Sequence, residues 1–245
     1  MKLLIAGVAA GVLITGRPEA AGEALGIHQA AWMGSVPAID EALELGTDVN
    51  EPDYRGMTAL HWAAARGATG AVRALLAHGA EVDATDARGY TALHRAALLG
   101  DIPTAVMLIE AGAQIDRGDR IGVTPLHAAV MNRNAPIAGA LVGHGARIDA
   151  DMHDGRTPLH LAAVEYAPDA ADVLLELGAD PNATDAGDRT PLHVAAMAGF
   201  TDIVHALLDH GADIAARDRN GATALELAVE HKQEDVAELL RPAPE

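Results

Sequence analysis

The stretch Asp53-Tyr54-Arg55-Gly56-Met57-Thr58-Ala59-Leu60-His61-Trp62-Ala63 decides the fold, because its core returns at a fixed interval. Thr58-Ala59-Leu60-His61 is followed by Thr91-Ala92-Leu93-His94, Thr124-Pro125-Leu126-His127, Thr157-Pro158-Leu159-His160 and Thr190-Pro191-Leu192-His193. Thr223-Ala224-Leu225-Glu226 closes the series and loses only the His. Every step is 33 residues. Gly46, Gly79, Gly112, Gly145, Gly178 and Gly211 keep the same period, as do Ala30, Ala63, Ala96, Ala129, Ala162, Ala195 and Ala228. Counting back 33 from Thr58 reaches Leu25, with His28 and Ala30 in phase, so a degenerate first unit precedes the series. A unit this small cannot bury its own apolar face, and stacking of neighbours must supply the core.

Each unit reads as a pair of short helices. In the second unit Thr58 caps a helix running to about Arg66, its hydroxyl meeting an orphan backbone N–H. Pro follows the Thr in three units, at a position where no N–H is needed. The phased Ala lets adjacent helices approach closely. A second helix, for example Ala71 to His78, ends at the phased Gly, which accepts the left-handed conformation. Leu75-Leu76, Leu174-Leu175 and Leu207-Leu208 fall on its buried side.

The T-P/A-L-H-x-A cores, the L-L-x-x-G-A endings and the leading D-x-x-G turns, such as Asp53 to Gly56 and Asp86 to Gly89, resemble the ankyrin repeat family. The resemblance runs from about Leu25 to Leu240. It implies an all-α solenoid of about seven stacked helix-turn-helix units with short β-hairpin fingers. The units are a degenerate repeat at 25–52, five full repeats at 53–217 and a more polar capping repeat at 218–245. Two turns depart from the pattern: Met152 stands where the turn Asp is expected, and Gly187 comes one place early.

Composition narrows the function. The 245 residues include 54 Ala and only 2% aromatics, which favours packed helices over a β-sandwich or barrel. The formal charge of −18 disfavours nucleic acid and anionic membrane as partners. The absence of Cys removes thiol catalysis, Cys-type zinc sites and disulfides. At the N-terminus, Lys2, the apolar run Leu3 to Gly16 and the small residues through Ala24 have the layout of a signal peptide over 1–24. A cut near Gly22-Glu23-Ala24 and a periplasmic or secreted location are the expectation, with an uncleaved anchor, or a cytoplasmic chain keeping a hydrophobic first helix, as the alternatives.

No H-E-x-x-H, Walker loop, G-x-S-x-G or G-x-G-x-x-G is present, and Ser35 is the only Ser, so no enzyme and no cofactor are expected. Six of the 12 His (His28, His61, His94, His127, His160, His193) share one phase and three (His78, His144, His210) another. Such spacing spreads the rings along the stack instead of bringing them within ~2 Å of one ion. The resemblance implies that the core His tie each unit to adjacent backbone. Asn182-Ala183-Thr184 matches a glycosylation sequon, but Asn182 occupies a phased turn position with Asn50, Asp83, Asp116 and Asp149.

The resemblance also implies partner binding on the concave face, formed by finger tips and first helices. The matching tip residues include Tyr54, Arg55, Met57, Arg88, Tyr90, Arg120 and Ile121, and the first-helix residues Trp32, Arg66, Leu98, Leu99 and Met131. These twelve are the candidate site for a protein partner with an acidic or extended segment, bound by a monomer. Two plainer readings stand beside it. The apolar set could be ordinary packing between first helices, and the tip Arg residues could pair with turn carboxylates, as Arg88 with Asp53 or Asp86. The functional expectation is non-enzymatic protein binding, as an accessory factor for an envelope enzyme or as a secreted effector on host proteins. Metal or enzyme chemistry on His and Asp is the remote alternative.

Overall fold

The computed structural model describes residues 25–241. The signal-peptide reading of 1–24 falls outside the described residues. Within them the chain is fourteen helices and no strand. First helices α1 (Ile27–Met33), α3 (Ala59–Arg66), α5 (Ala92–Leu99), α7 (Pro125–Met131), α9 (Pro158–Glu165), α11 (Pro191–Ala198) and α13 (Ala224–Glu230) form one layer. Second helices α2 (Val36–Glu44), α4 (Thr69–Ala77), α6 (Ile102–Glu110), α8 (Ala135–Gly143), α10 (Pro168–Glu176), α12 (Thr201–Asp209) and α14 (Glu234–Leu239) form the other. Each helix packs on its pair partner and on the equivalent helix of the next unit, as a stack in a single row requires.

The phased small residues explain the close packing. Ala30, Ala63, Ala96, Ala129, Ala162, Ala195 and Ala228 are all fully buried, and so are Leu93, Leu126, Leu159 and Leu192. One core cluster runs from Ile27 to Leu240. A Leu→Ala change in such a core costs about 2–5 kcal/mol, so the phased Leu positions have little freedom to vary.

Each phased His has two jobs, one per ring nitrogen. His61 Nδ1 accepts the Thr58 N–H at 3.1 Å and lies 2.9 Å from Thr58 Oγ1. This is a capping box with imidazole in the place usually held by Glu or Gln. His61 Nε2 donates to the Tyr90 carbonyl, 2.8 Å away in the next finger. The same clamp joins His94 to Val123, His127 to Arg156, His160 to Arg189 and His193 to Ala222. Glu226 replaces His in α13; its carboxylate accepts the Thr223 N–H at 2.8 Å, so the cap survives without the inter-repeat bond. His28 also departs, reaching the Glu51 carbonyl at 2.8 Å.

The fingers are turns instead of paired strands. Asp53 N–H donates to the Met57 carbonyl at 2.9 Å, and one backbone bond links each finger to the next, as from Ala87 N–H to Arg55 O at 2.8 Å. Asp53 Oδ1 accepts the N–H groups of Arg55 and Met57, and Asp86, Asp119, Asp185 and Asp218 repeat the device. Met152 interrupts that series. It is buried, the turn still closes through Met152 N–H to Arg156 O at 2.9 Å, and Asp154 takes the Arg156 side chain instead. The early Gly187 leaves Asp188 in the left-handed conformation (φ +58°) where the other fingers place Gly. Arg133, Tyr166 and Lys232 likewise replace Gly after a first helix, at φ between +51° and +60°; each such L-residue costs roughly 1–2 kcal/mol.

A second ladder runs between the long loops. Asn50, Asp83, Asp116, Asp149 and Asn182 each accept a backbone N–H 31 residues ahead, at 2.8–3.1 Å. Asn182 also donates its amide N–H to the Gly211 carbonyl at 3.1 Å. Both ends of that side chain are engaged in the turn, in keeping with the structural reading of the sequon.

Burial pushes the His94 and His127 imidazoles down from 6.5 to about 4, and it lowers His61 and His160 as well. The unfolded chain therefore takes up protons that the folded chain refuses. Stability contributed by the neutral rings is full above 6.5 and is lost as pH falls through the window toward 4. By linkage His94 and His127 each remove about 2 kcal/mol near pH 5. The melting temperature is expected to fall steeply between about pH 7 and pH 5, and His94→Gln to flatten that slope. A melting temperature constant over the window would contradict the neutral clamp.

Candidate functional site

The fingers and first helices meet along one face, and its N-terminal half carries the aromatic rings. Trp32 on α1 and Trp62 on α3 lie edge to face, with centroids 5.6 Å apart and planes at 89°. The Arg66 guanidinium sits 5.5 Å from the Trp32 ring centre. Trp62 Nε1 donates to Asp53 Oδ2 at 3.1 Å, tying helix to finger. In the next unit Tyr90 stacks on His94 at 5.0 Å, and the Arg95 guanidinium lies 5.3 Å from the Tyr90 ring. Arg95 also forms an ion pair with Asp86. Burial alone would raise the Asp86 carboxyl, but the Tyr90 and Arg88 N–H groups and the Arg95 charge outweigh it and hold it below the ordinary carboxylate range.

The candidate residues separate by exposure. Tyr54 is 88% exposed at its finger tip, with Arg55 over its ring at 5.2 Å. Ile121 is 55% and Leu99 47% exposed. Arg66, Arg88 and Arg120 are also exposed. Trp32, Tyr90, Leu98 and Met131 are half-buried, and the last three pack against the core. For those three the plainer packing reading holds in part. Met57 is a correction: it is 4% exposed, and its N–H and carbonyl both bond Asp53 to close the finger turn. It offers no side chain to a partner.

The Arg row also divides. Arg156 pairs with Asp154, Arg189 with Asp185 and Arg219 with Asp188. Arg55, Arg88 and Arg120 form no ion pair among the described residues. The expected pairing of Arg88 with Asp53 or Asp86 does not occur, because those carboxylates are already engaged. Asp53 holds Trp62 and its own turn, and Asp86 holds Arg95 and its own turn. The N-terminal fingers thus present unpaired cations while the C-terminal fingers are neutralised.

Two face residues escaped the sequence reading, Trp62 and Arg95. Their signal was present: they lie 33 apart, each four residues after the capping Thr, and Trp62 is one helical turn from Arg66. The Nε of Arg95 is buried and has no hydrogen-bond partner among the described residues. Elsewhere, Tyr166 packs on Phe200 at 4.7 Å and donates to Asp202 at 3.1 Å, in turns that follow the first helices. A shallow open depression on the second-helix layer is lined by Asp40, Leu43, Glu44 and His78. Among the described residues no three His, Asp or Glu side chains converge as metal ligands, and no helix is long and apolar enough to cross a membrane.

Comparison with known proteins agrees with this geometry. The family model for ankyrin repeats matches in three copies, over residues 27–119, 116–185 and 184–244. The crystal structure of the human ASB11 ankyrin repeat domain is similar, at 30% identity and a TM-score of 0.77 over 89% of this chain and 99% of that one. No curated protein matches.

The Trp pair makes a direct prediction. Edge-to-face aromatic pairs are worth about 0.5–1.5 kcal/mol beyond their burial. Trp32→Ala, Trp62→Ala and the double variant, unfolded in urea, are expected to show a coupling in that range. Additive losses would mean that the rings do not support each other.

Proposed function

The chain belongs to the ankyrin repeat family, and we propose that it is a non-enzymatic module, acting as a monomer, that holds a partner protein on its concave face. Ankyrin repeats are protein-interaction modules, and this fold is generally a scaffold without chemistry of its own. The observation that carries the reading to a place on the molecule is the asymmetry of the face. Unpaired Arg55, Arg88 and Arg120 share the earlier fingers with exposed Tyr54 and Ile121, and Leu99 is exposed at the end of α5 in the same half of the stack. Aromatic and Arg side chains are the favoured anchors of interfaces. On a chain of net charge −18, a local row of free cations favours a partner with an acidic segment, through complementary potential and faster encounter.

Metal or enzyme chemistry has less support. The row of imidazoles from His61 to His193 has both ring nitrogens engaged in the clamp, so binding an ion there would break the stack. The two finer roles, accessory factor for an envelope enzyme and secreted effector on host proteins, both require export. The Lys2 to Ala24 pattern supports export. Sequencing the N-terminus of the cellular protein is expected to start near residue 25; recovery of Met1 or Lys2 would end the cleaved-signal reading.

Site-specific photocrosslinking tests the face itself. A photoreactive residue at Leu99 is expected to capture the partner, and one at Glu176 on the second-helix layer to capture nothing. Capture from Glu176 alone would place the interface on the opposite surface.

A further inference from the structure

Resting on that reading of the face, we propose that its occupant is a proline-rich segment of the partner in polyproline II conformation, with an acidic residue at every third position. The fingers are joined tip to tip: Ala87 N–H donates to Arg55 O at 2.8 Å, and Arg120 N–H to Arg88 O at 3.4 Å. The tips therefore form a continuous row that advances one step per repeat. The first helices beneath them pack directly on one another, and packed helices lie about 8–10 Å apart. Arg55, Arg88 and Arg120 repeat a free cation at about that step. Arg55 and Arg88 hold the same place in their fingers, and Arg120 comes one residue earlier.

That step selects a backbone. A polyproline II helix rises about 3.1 Å per residue with three residues per turn, so side chains recur on one side every ~9.3 Å. A β-strand returns a side chain to the same face after about 6.7 Å, and its third-neighbour side chains point to opposite faces. An α-helix meets the step only at every seventh residue, at about 10.5 Å. The rings decide between the last alternative and the first. Trp32, Trp62 and Tyr90 are half-buried rings next to the Arg row; Trp62 Nε1 bonds Asp53 and the Tyr90 N–H bonds Asp86, the same carboxylates that accept the Arg55 and Arg88 N–H groups. Aromatic-lined surfaces of this kind receive the preformed polyproline II helix. With acidic side chains turned to the finger tips, a second side of the same three-sided helix lies over the rings.

Labelled synthetic peptides and the full chain test the register. One peptide of about twelve residues repeats Glu-Pro-Pro four times. A second has the same composition with its Glu residues contiguous. A third is an Ala-rich helix with Glu at every seventh position. Fluorescence anisotropy at low salt is expected to show the first binding at least about tenfold more tightly than either control. Arg88→Glu is expected to abolish that preference, and Arg73→Glu on the second-helix layer to leave it unchanged. If all three peptides bind alike and Arg88→Glu weakens them alike, the register is overturned while the face stands. A tighter helical peptide overturns the proposed conformation. If none of the peptides binds, the inference falls, and crosslinking at Leu99 judges the face independently.

Discussion

A neutral imidazole bonded at both ends holds this molecule together. One nitrogen closes the cap of a first helix and the other reaches the carbonyl of the following finger. The ring therefore converts a local feature, a helix start, into a contact 29 residues ahead. It can do so only while unprotonated, because a second proton would turn the accepting nitrogen into a donor facing another donor. Burial enforces that state, and it makes an unpaired end costly, since a buried polar group without a partner loses about 1–3 kcal/mol. This bond ties each of these first helices to the finger that follows it. Where Glu226 stands in its place, the cap remains and the inter-repeat link does not.

The same competition for partners leaves Arg55 and Arg88 without an ion pair among the described residues. The turn carboxylates of the first two full fingers are occupied by backbone N–H groups, by Trp62 and by Arg95. They have no capacity left for the tip arginines. In the later fingers Asp154 pairs with Arg156 and Asp185 with Arg189 inside one finger, while Arg219 reaches Asp188 in the preceding finger. A Trp or Arg at the fourth residue after the capping Thr takes the second carboxylate oxygen in the first two full units, whereas Arg120 is unpaired among the described residues beside Asp119, with Ala128 at that place. Exposed ion pairs are worth only about 0–1 kcal/mol, so the difference matters less for stability than for what the surface presents.

The fold by itself leaves the choice of partner open, since one architecture hosts many unrelated functions. What distinguishes this chain is the set of residues that depart from its own repeat. Tyr54 is the one Phe, Trp or Tyr at its repeat position, and Trp62 and Arg95 stand where the later units have Ala128, Leu161, Val194 and Leu227. They fall in two adjacent units.

The 33-residue period determined the helix pairs and their single-row stacking, because a unit without a core of its own has to repeat its contacts in register, and the resemblance to ankyrin repeats implied the structural role of the phased His. The same resemblance implied the exposed places of Tyr54, Leu99 and Ile121. It could not tell that Met57 is buried, that Trp62 and Arg95 belong to the face, or which Arg finds an acid. Those outcomes depend on competition for the same carboxylate oxygens among groups from different helices and fingers. Spacing along the chain fixes which groups are near, and only the packed geometry decides which of them reach bonding distance first.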